Sequence, residues 1–241
     1  MRRIVINDKI SDNFILAGAK AHHLARVLRI KPGELLSVVD CDGSTAIVEV
    51  AEVQADAVAV KVVNFASSSC EPHSQVNLVL ALLKNDKLDW IIQKAVELGV
   101  YEIALFNARN SVSKPDGDSM AKKLIRLEKI AAAATEQCGR SLIPRIFYEP
   151  KLTTALAGLT GAPAIFALHE GELAQSLREQ LRKIDNSSVA LIIGPEGGLV
   201  DDELSCVQQL VTAGLGPRVL RAETAALAAL TIALSQFGDL G

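Results

Sequence analysis

Leu191-Ile192-Ile193-Gly194-Pro195-Glu196-Gly197-Gly198 decides the fold class. The short apolar run 189–193 reads as a strand buried on both faces. It ends in a turn with three glycines in five positions, where backbone can come close to a ligand. The segment 201–210 then opens with acidic residues, as suits the first turn of a helix. Strand, glycine turn and helix form the repeating unit of a parallel α/β sheet. The turn is not a dinucleotide fingerprint, because GxGxxG is missing. No Gly-Lys-Ser/Thr follows to make a P-loop, and the GxSxG of a hydrolase elbow is absent.

The same alternation extends outward in both directions. Strands are predicted over 76–83, 100–106, 164–168 and, briefly, 218–220. Helices are predicted over 119–138 and 173–183, and from Asn85 or Asp86 as cap to Gly99. The helix over 222–237 is nearly continuous Ala and Leu, so it is expected to be buried on several sides. The fold class is therefore α/β, a mostly parallel sheet with helices on both faces. Ahead of it, residues 1–65 read as a small β-rich unit: strands at 35–39, 45–53 and 58–62, a hairpin turn through Asp40-Cys41-Asp42-Gly43, and one helix over 17–30. The small, polar, proline-broken stretch 66–74 reads as a linker. The predicted domains are 1–70 and 74–241.

Of the 241 residues, 49 % are hydrophobic and 22 % charged, which excludes a disordered chain. No apolar run approaches the roughly 20 residues of a membrane span, and charge interrupts the amino terminus before a signal sequence could form. A cytoplasmic location is expected. The four cysteines are widely spaced and are expected to be free, buried thiols, with no metal site. The net charge of −3 conceals an asymmetry. Residues 1–33 carry seven Lys or Arg against two acids, whereas the rest carries 18 basic and 26 acidic residues. A basic face of that kind suits a polyanion, and a solvated arm without function explains it equally well.

In parallel sheets ligands sit beyond the carboxyl ends of the strands. Three loops qualify: Leu168-His169-Glu170-Gly171, the turn 194–198, and Gly214 through Thr224. In the last, Arg221 and Glu223 flank the start of an apolar helix. Charges there need partners or a ligand.

Five segments in order resemble the RsmE family of ribosomal RNA small subunit methyltransferases. They are His23-Leu24-Ala25-Arg26-Val27-Leu28-Arg29, Ile92 through Val100, Glu136-Gln137-Cys138-Gly139-Arg140 with Ile143-Pro144, Leu191 through Gly198, and Leu215 through Ala225. The chain departs from the family at Ala108-Arg109-Asn110-Ser111, where the arginine stands one place off, and at Ala222, usually Thr. The resemblance implies a PUA-like β-barrel followed by a SPOUT-type domain with a trefoil knot. It implies S-adenosylmethionine as cofactor, S-adenosylhomocysteine as product, and methylation of uridine N3 in 16S ribosomal RNA or the small subunit by a homodimer. On this resemblance Leu168, His169, Gly194, Glu196, Gly197, Gly198, Leu215, Gly216 and Leu220 bind the cofactor. Arg221 and Glu223 are the candidate catalytic pair, with Glu196, Glu136 and His169 as other candidate bases. Arg2, Arg3, Arg26, Arg29 and Arg140 are the candidate RNA contacts. Competing readings are another SPOUT enzyme, acting on transfer RNA or a ribose 2′-hydroxyl, and an RNA-binding protein without catalysis.

Overall fold

A computed structural model describes residues 2–6, 8–41, 43–66, 70–111, 117–161, 163–169, 175–184 and 187–241. Asp42 of the expected hairpin turn, residues 67–69 of the expected linker, Glu170 and Gly171 of the first ligand loop, and the first two residues of the expected helix 173–183 lie outside them. The chain forms two compact units. The first is Met1–Glu71 with Thr135–Leu142, and the second is Pro72–Ala134 with Ile143–Gly241.

In the first unit β1 (Arg2–Val5), β2 (Asn13–Ala17), β3 (Leu35–Val39), β4 (Thr45–Val53) and β5 (Ala57–Ala66) form a sheet in the order β1-β3-β4-β5-β2. β1 pairs with β3 in parallel and the other pairs are antiparallel. Alternate residues Leu36, Val38, Val48, Val50, Val58 and Val60 turn into one core with Leu16 and Leu24. The single helix is shorter than its periodicity predicts. α1 (Gly18–His22) passes into a π-helical turn, His23–Val27, where Leu28 N–H reaches the His23 carbonyl at 2.9 Å. Arg29 then takes φ 50, and Ile30 N–H bonds the Leu24 carbonyl. Arg29 thus makes the left-handed stop that glycine usually makes. Arg26 lies in the π-helical turn and Arg29 beyond it, so the two do not share a helix face, although both are exposed.

The second unit is built on a seven-stranded, wholly parallel sheet. Its strands are β6 (Gln75–Ala81), β7 (Glu102–Phe106), β8 (Arg145–Glu149), β9 (Ala164–Leu168), β10 (Gln175–Ser176), β11 (Ser188–Ile193) and β12 (Leu210–Gly214). Their order is β10-β12-β9-β11-β6-β7-β8. Both faces are covered. Val79, Ala81, Ala104, Phe106, Ala190 and Ile192 form one core with Leu152 and Ala155 of α4 (Leu152–Ala157). The alternate residues Leu78, Leu80, Ile103, Leu105 and Leu191 are also fully buried, on the side of α7 (Ala222–Gln236), which touches β6 and β11. Ala226, Ala229 and Ala233 of α7 are buried, and α7 packs against α2 (Asn85–Leu98). α3 (Gly117–Cys138) ends, as predicted, at Gly139, which takes φ +84. No helix of the described residues is long and apolar enough to cross a membrane.

The N-cap of α2 is Lys84, one residue before the first of its two expected caps. It ends at Gly99, which has φ 109 and bonds back to Ala95 and Val96. A Cβ there would lie 2.6 Å from Pro72 Cγ. Gly99→Ala therefore carries both a steric and a backbone penalty. We expect it to lower stability by at least about 2 kcal/mol, read as a shifted urea midpoint with unchanged slope.

Elsewhere the structure corrects the sequence reading. The helix over 201–210 is only α6 (Asp201–Ser205). Gln209 turns the chain at φ 56 into β12, which the sequence reading missed. No glycine or proline marks that turn. Similarly, α5 is confined to Leu177–Leu181. Arg218–Val219–Leu220 is not a strand: the chain leaves the sheet after Gly214, and these residues form a loop. β8 and α4 were unread. The cysteines form no disulfide among the described residues and are not buried: Cys41, Cys70 and Cys206 are exposed and Cys138 is partly so.

Candidate active site

The order of β12, β9 and β11 brings three carboxyl ends side by side, and the loops leaving them enclose one cavity of about 570 Å³. That volume lies within the ~300–1,000 Å³ usual for small-ligand clefts. Leu168 and His169 come from the end of β9, Gly194, Glu196, Gly197 and Gly198 from β11, and Leu215, Gly216 and Leu220 from β12. All nine candidate cofactor residues thus line a single space. His169 is held beside β12 by its N–H, which donates to the Ala213 carbonyl at 3.1 Å. Ile193, Leu199, Leu204, Arg218 and the 74 % exposed Val219 also line the cavity, beyond the candidate cofactor residues.

Glycine is required in this wall on steric grounds. A Cβ at Gly194 would sit 3.0 Å from Leu199 Cγ and 3.2 Å from its backbone nitrogen. Gly198 has φ +71 and Gly216 φ +110. The wall therefore combines accessible backbone with the leucines 168, 215 and 220. Such a surface fits an adenosyl group, whose flat base needs apolar cover and whose polar edges need main-chain partners.

Arg221 is the N-cap residue of α7, is exposed, lines the cavity and makes no ion pair with the described residues. Glu223 does not line the cavity. Its neighbours Ala222 and Ala225 do. Glu223 Oε2 is buried without a hydrogen-bond partner among the described residues, and Lys87 Nζ stands 3.5 Å away. The same ammonium bonds Glu196. Lys87, in the first turns of α2, thus joins a carboxylate of the glycine turn to one of α7. The hydrogen bond to Glu196 holds the Lys87 ammonium above the usual lysine range. The same bond holds Glu196 below the usual carboxylate range. Of the other candidate bases, His169 lines the cavity, whereas Glu136 belongs to the first unit, where it accepts from Val5 N–H at 3.4 Å.

Lys87 and Asn110 are not among the candidate site residues of the sequence. Asn110 donates its amide to the Gly197 and Gly198 carbonyls. Both follow strands, β6 and β7, whose carboxyl ends open on the same edge as β11, and that topological rule was the available signal. Arg109 does not line the cavity: its side chain is exposed and pairs with Asp202 at 3.2 Å.

The candidate RNA contacts divide. Arg26 and Arg29 are exposed, and Arg2 forms a 3.6 Å pair with Glu34 while staying 46 % exposed. Arg3 is spent on Ser141 Oγ at 2.9 Å. Arg140 is 5 % exposed and bonds Glu71 through Nε at 3.0 Å and Nη2 at 2.7 Å. Glu71 also accepts from the Ser141 and Leu142 N–H groups. Arg140 is therefore a brace of the first unit, because a phosphate would have to displace this buried pair.

Comparison with known proteins agrees with this architecture. The RNA methyltransferase domain family matches residues 70–234, and the RNA methyltransferase PUA domain family matches residues 16–63. Fold and pocket thus define the class, a PUA domain joined to an RNA methyltransferase domain. Ribosomal RNA small subunit methyltransferase E of Bacillus subtilis is 35 % identical over 227 residues, covering 90 % of this chain and 88 % of the relative. The protein of that name from Mesomycoplasma hyopneumoniae is 31 % identical, covering 96 % and 98 %. A Legionella pneumophila structure with bound S-adenosylmethionine superposes with a TM-score of 0.85 at 29 % identity, covering 97 % and 96 %. The chain belongs to the ribosomal RNA small subunit methyltransferase E family.

Proposed function

We propose that this protein transfers a methyl group from S-adenosylmethionine to N3 of a uridine in 16S ribosomal RNA, on the small subunit, as a cytoplasmic homodimer. The observation that carries the proposal is the single cavity at the ends of β9, β11 and β12 in a chain of this family. Residues 1–70 would be the RNA-binding domain and 74–241 the catalytic domain, apart from Thr135–Leu142, which belongs to the first compact unit, with the knot that the family resemblance implies.

Leu168, His169, Gly194, Glu196, Gly197, Gly198, Leu215, Gly216 and Leu220 would hold the cofactor. When bound, it supplies an electrophilic methyl on a sulfonium. The chain's own residues must supply positioning and the management of one proton, because uracil N3 carries hydrogen and lies on the pairing edge. The base therefore enters the cavity unpaired. Arg221, at the cavity wall and without an ion pair among the described residues, stabilises the negative charge that N3 deprotonation spreads onto the uracil oxygens. Glu223 is the candidate that receives the proton; its side chain stands behind the cavity wall formed by Ala222 and Ala225, paired with Lys87. The bound cofactor would supply the methyl and depart as a thioether, with the N3 proton left on Glu223.

Arg2, Arg26 and Arg29 meet phosphates, which fixes register without reading sequence. Replacing Arg26 and Arg29 with Ala is expected to weaken RNA binding and to reduce the slope of log affinity against log salt by about 1 to 2. Filter binding across a salt series checks this, and an unchanged slope removes these residues from the interface. The activity is tested by incubating small subunits, large subunits and bulk transfer RNA with labelled methyl donor. Label should enter the small subunit alone; label in transfer RNA or on a ribose would replace this reading with another SPOUT activity.

A further inference from the structure

We propose that Asn110 is a positioning residue that holds the glycine turn in the shape that receives the methyl donor. The inference rests on the cofactor reading above and names a residue outside the cavity on which the cavity's shape depends. Asn110 Nδ2 donates to the Gly197 carbonyl at 2.8 Å and to the Gly198 carbonyl at 3.2 Å, across 87 and 88 positions of sequence. Two carbonyl acceptors require the amide nitrogen, with one hydrogen for each, so the orientation of the amide is set by its partners. The approach is close. A Cβ on Gly197 would stand 3.0 Å from Asn110 Cβ, so the turn packs directly on this side chain.

The same loop grips the segment that follows the turn. Arg109 N–H donates to Glu203 Oε1 at 2.9 Å, and Glu203 Oε2 accepts from Val200 N–H at 3.1 Å. The turn closes on itself through one bond, Gly198 N–H to the Pro195 carbonyl at 2.9 Å. A glycine-rich turn has many alternative backbone states, and ordering it at the moment of binding would weaken the ligand. Asn110 orders it beforehand. Because Asn110 is exposed and outside the core clusters, its replacement leaves the fold in place.

Asn110→Ala is expected to weaken S-adenosylmethionine binding about five- to tenfold by calorimetry, with kcat at saturating donor unchanged within about twofold, as loss of two exposed hydrogen bonds predicts. Amide exchange at 197–200 should accelerate in the ligand-free protein. Asn110→Asp keeps the shape but cannot donate, and should match Asn110→Ala on both measures. Wild-type affinity and exchange in both variants, or an Asn110→Asp that behaves as wild type, would overturn the proposal. If the wild type itself binds no S-adenosylmethionine, the cofactor reading fails, and the exchange measurement still decides whether Asn110 orders the turn.

Discussion

Gly194→Val is expected to abolish measurable S-adenosylmethionine binding while leaving the protein folded. Gly194 ends the central strand β11 and begins the turn that lines the cavity. A Cβ alone would stand 3.0 Å from Leu199 Cγ and 3.2 Å from the Leu199 nitrogen, and the latter is backbone and cannot rotate away. A branched side chain must therefore either open the turn or enter the cavity, and both remove the binding surface. Overpacking of this kind costs about 1–3 kcal/mol, and occlusion adds to it, so affinity should fall by at least about 100-fold. Gly216→Val reaches the same end by a different cause. Nothing lies within 4 Å of a Cβ there, but φ is +110, which a β-branched residue does not adopt. The expected loss is about 10- to 100-fold, from backbone strain alone. Calorimetry with S-adenosylmethionine measures both, with circular dichroism to verify the fold. Near-normal binding in both variants would mean that the donor sits elsewhere.

Arg221→Ala should lower kcat by about 10²–10³-fold with donor affinity changed only a few-fold, the pattern of a group whose interaction appears in the transition state. Arg221 lines the cavity and pairs with no described carboxylate, so its charge is available to a ligand. Its neighbour is wired differently. Glu223 shares the Lys87 ammonium with Glu196. Glu223→Gln removes a proton acceptor and keeps the shape, and should lower kcat by about 10²-fold. Single-turnover methylation at saturating donor measures both. An Arg221→Ala variant with normal kcat would show that anion stabilisation comes from another group, Arg218 being the other arginine on the cavity wall.

The difference between these two residues marks how far the sequence could be read. The glycine turn, the end of α2 at Gly99 and the buried strands were legible because each rests on a local rule: backbone that only glycine adopts, or an apolar run bounded by turn residues. The gathering of the three loops followed from the parallel topology. The contacts of Lys87 and Asn110 carried no local signal, since the chain makes them across 109 and 87 positions. The turn at Gln209 was missed because a glutamine took the left-handed conformation that glycine normally announces. The π-helical turn at His23–Val27 preserves a helical composition while shifting every following side chain. Arg140 shows the limit most plainly. Its place in a matched motif suggested a surface role, whereas Glu71, 69 residues earlier, draws it into a buried pair.

The most direct test of the whole account is the nucleoside composition of small-subunit RNA from cells lacking this protein. Before and after incubation with the purified protein and S-adenosylmethionine, the digested RNA is compared by mass spectrometry. 3-Methyluridine is expected to be absent before and present after, and Arg221→Ala to add almost none in the same time. A methyl group appearing on another base or on ribose, or no change at all with protein shown to bind the donor, would contradict the proposed function.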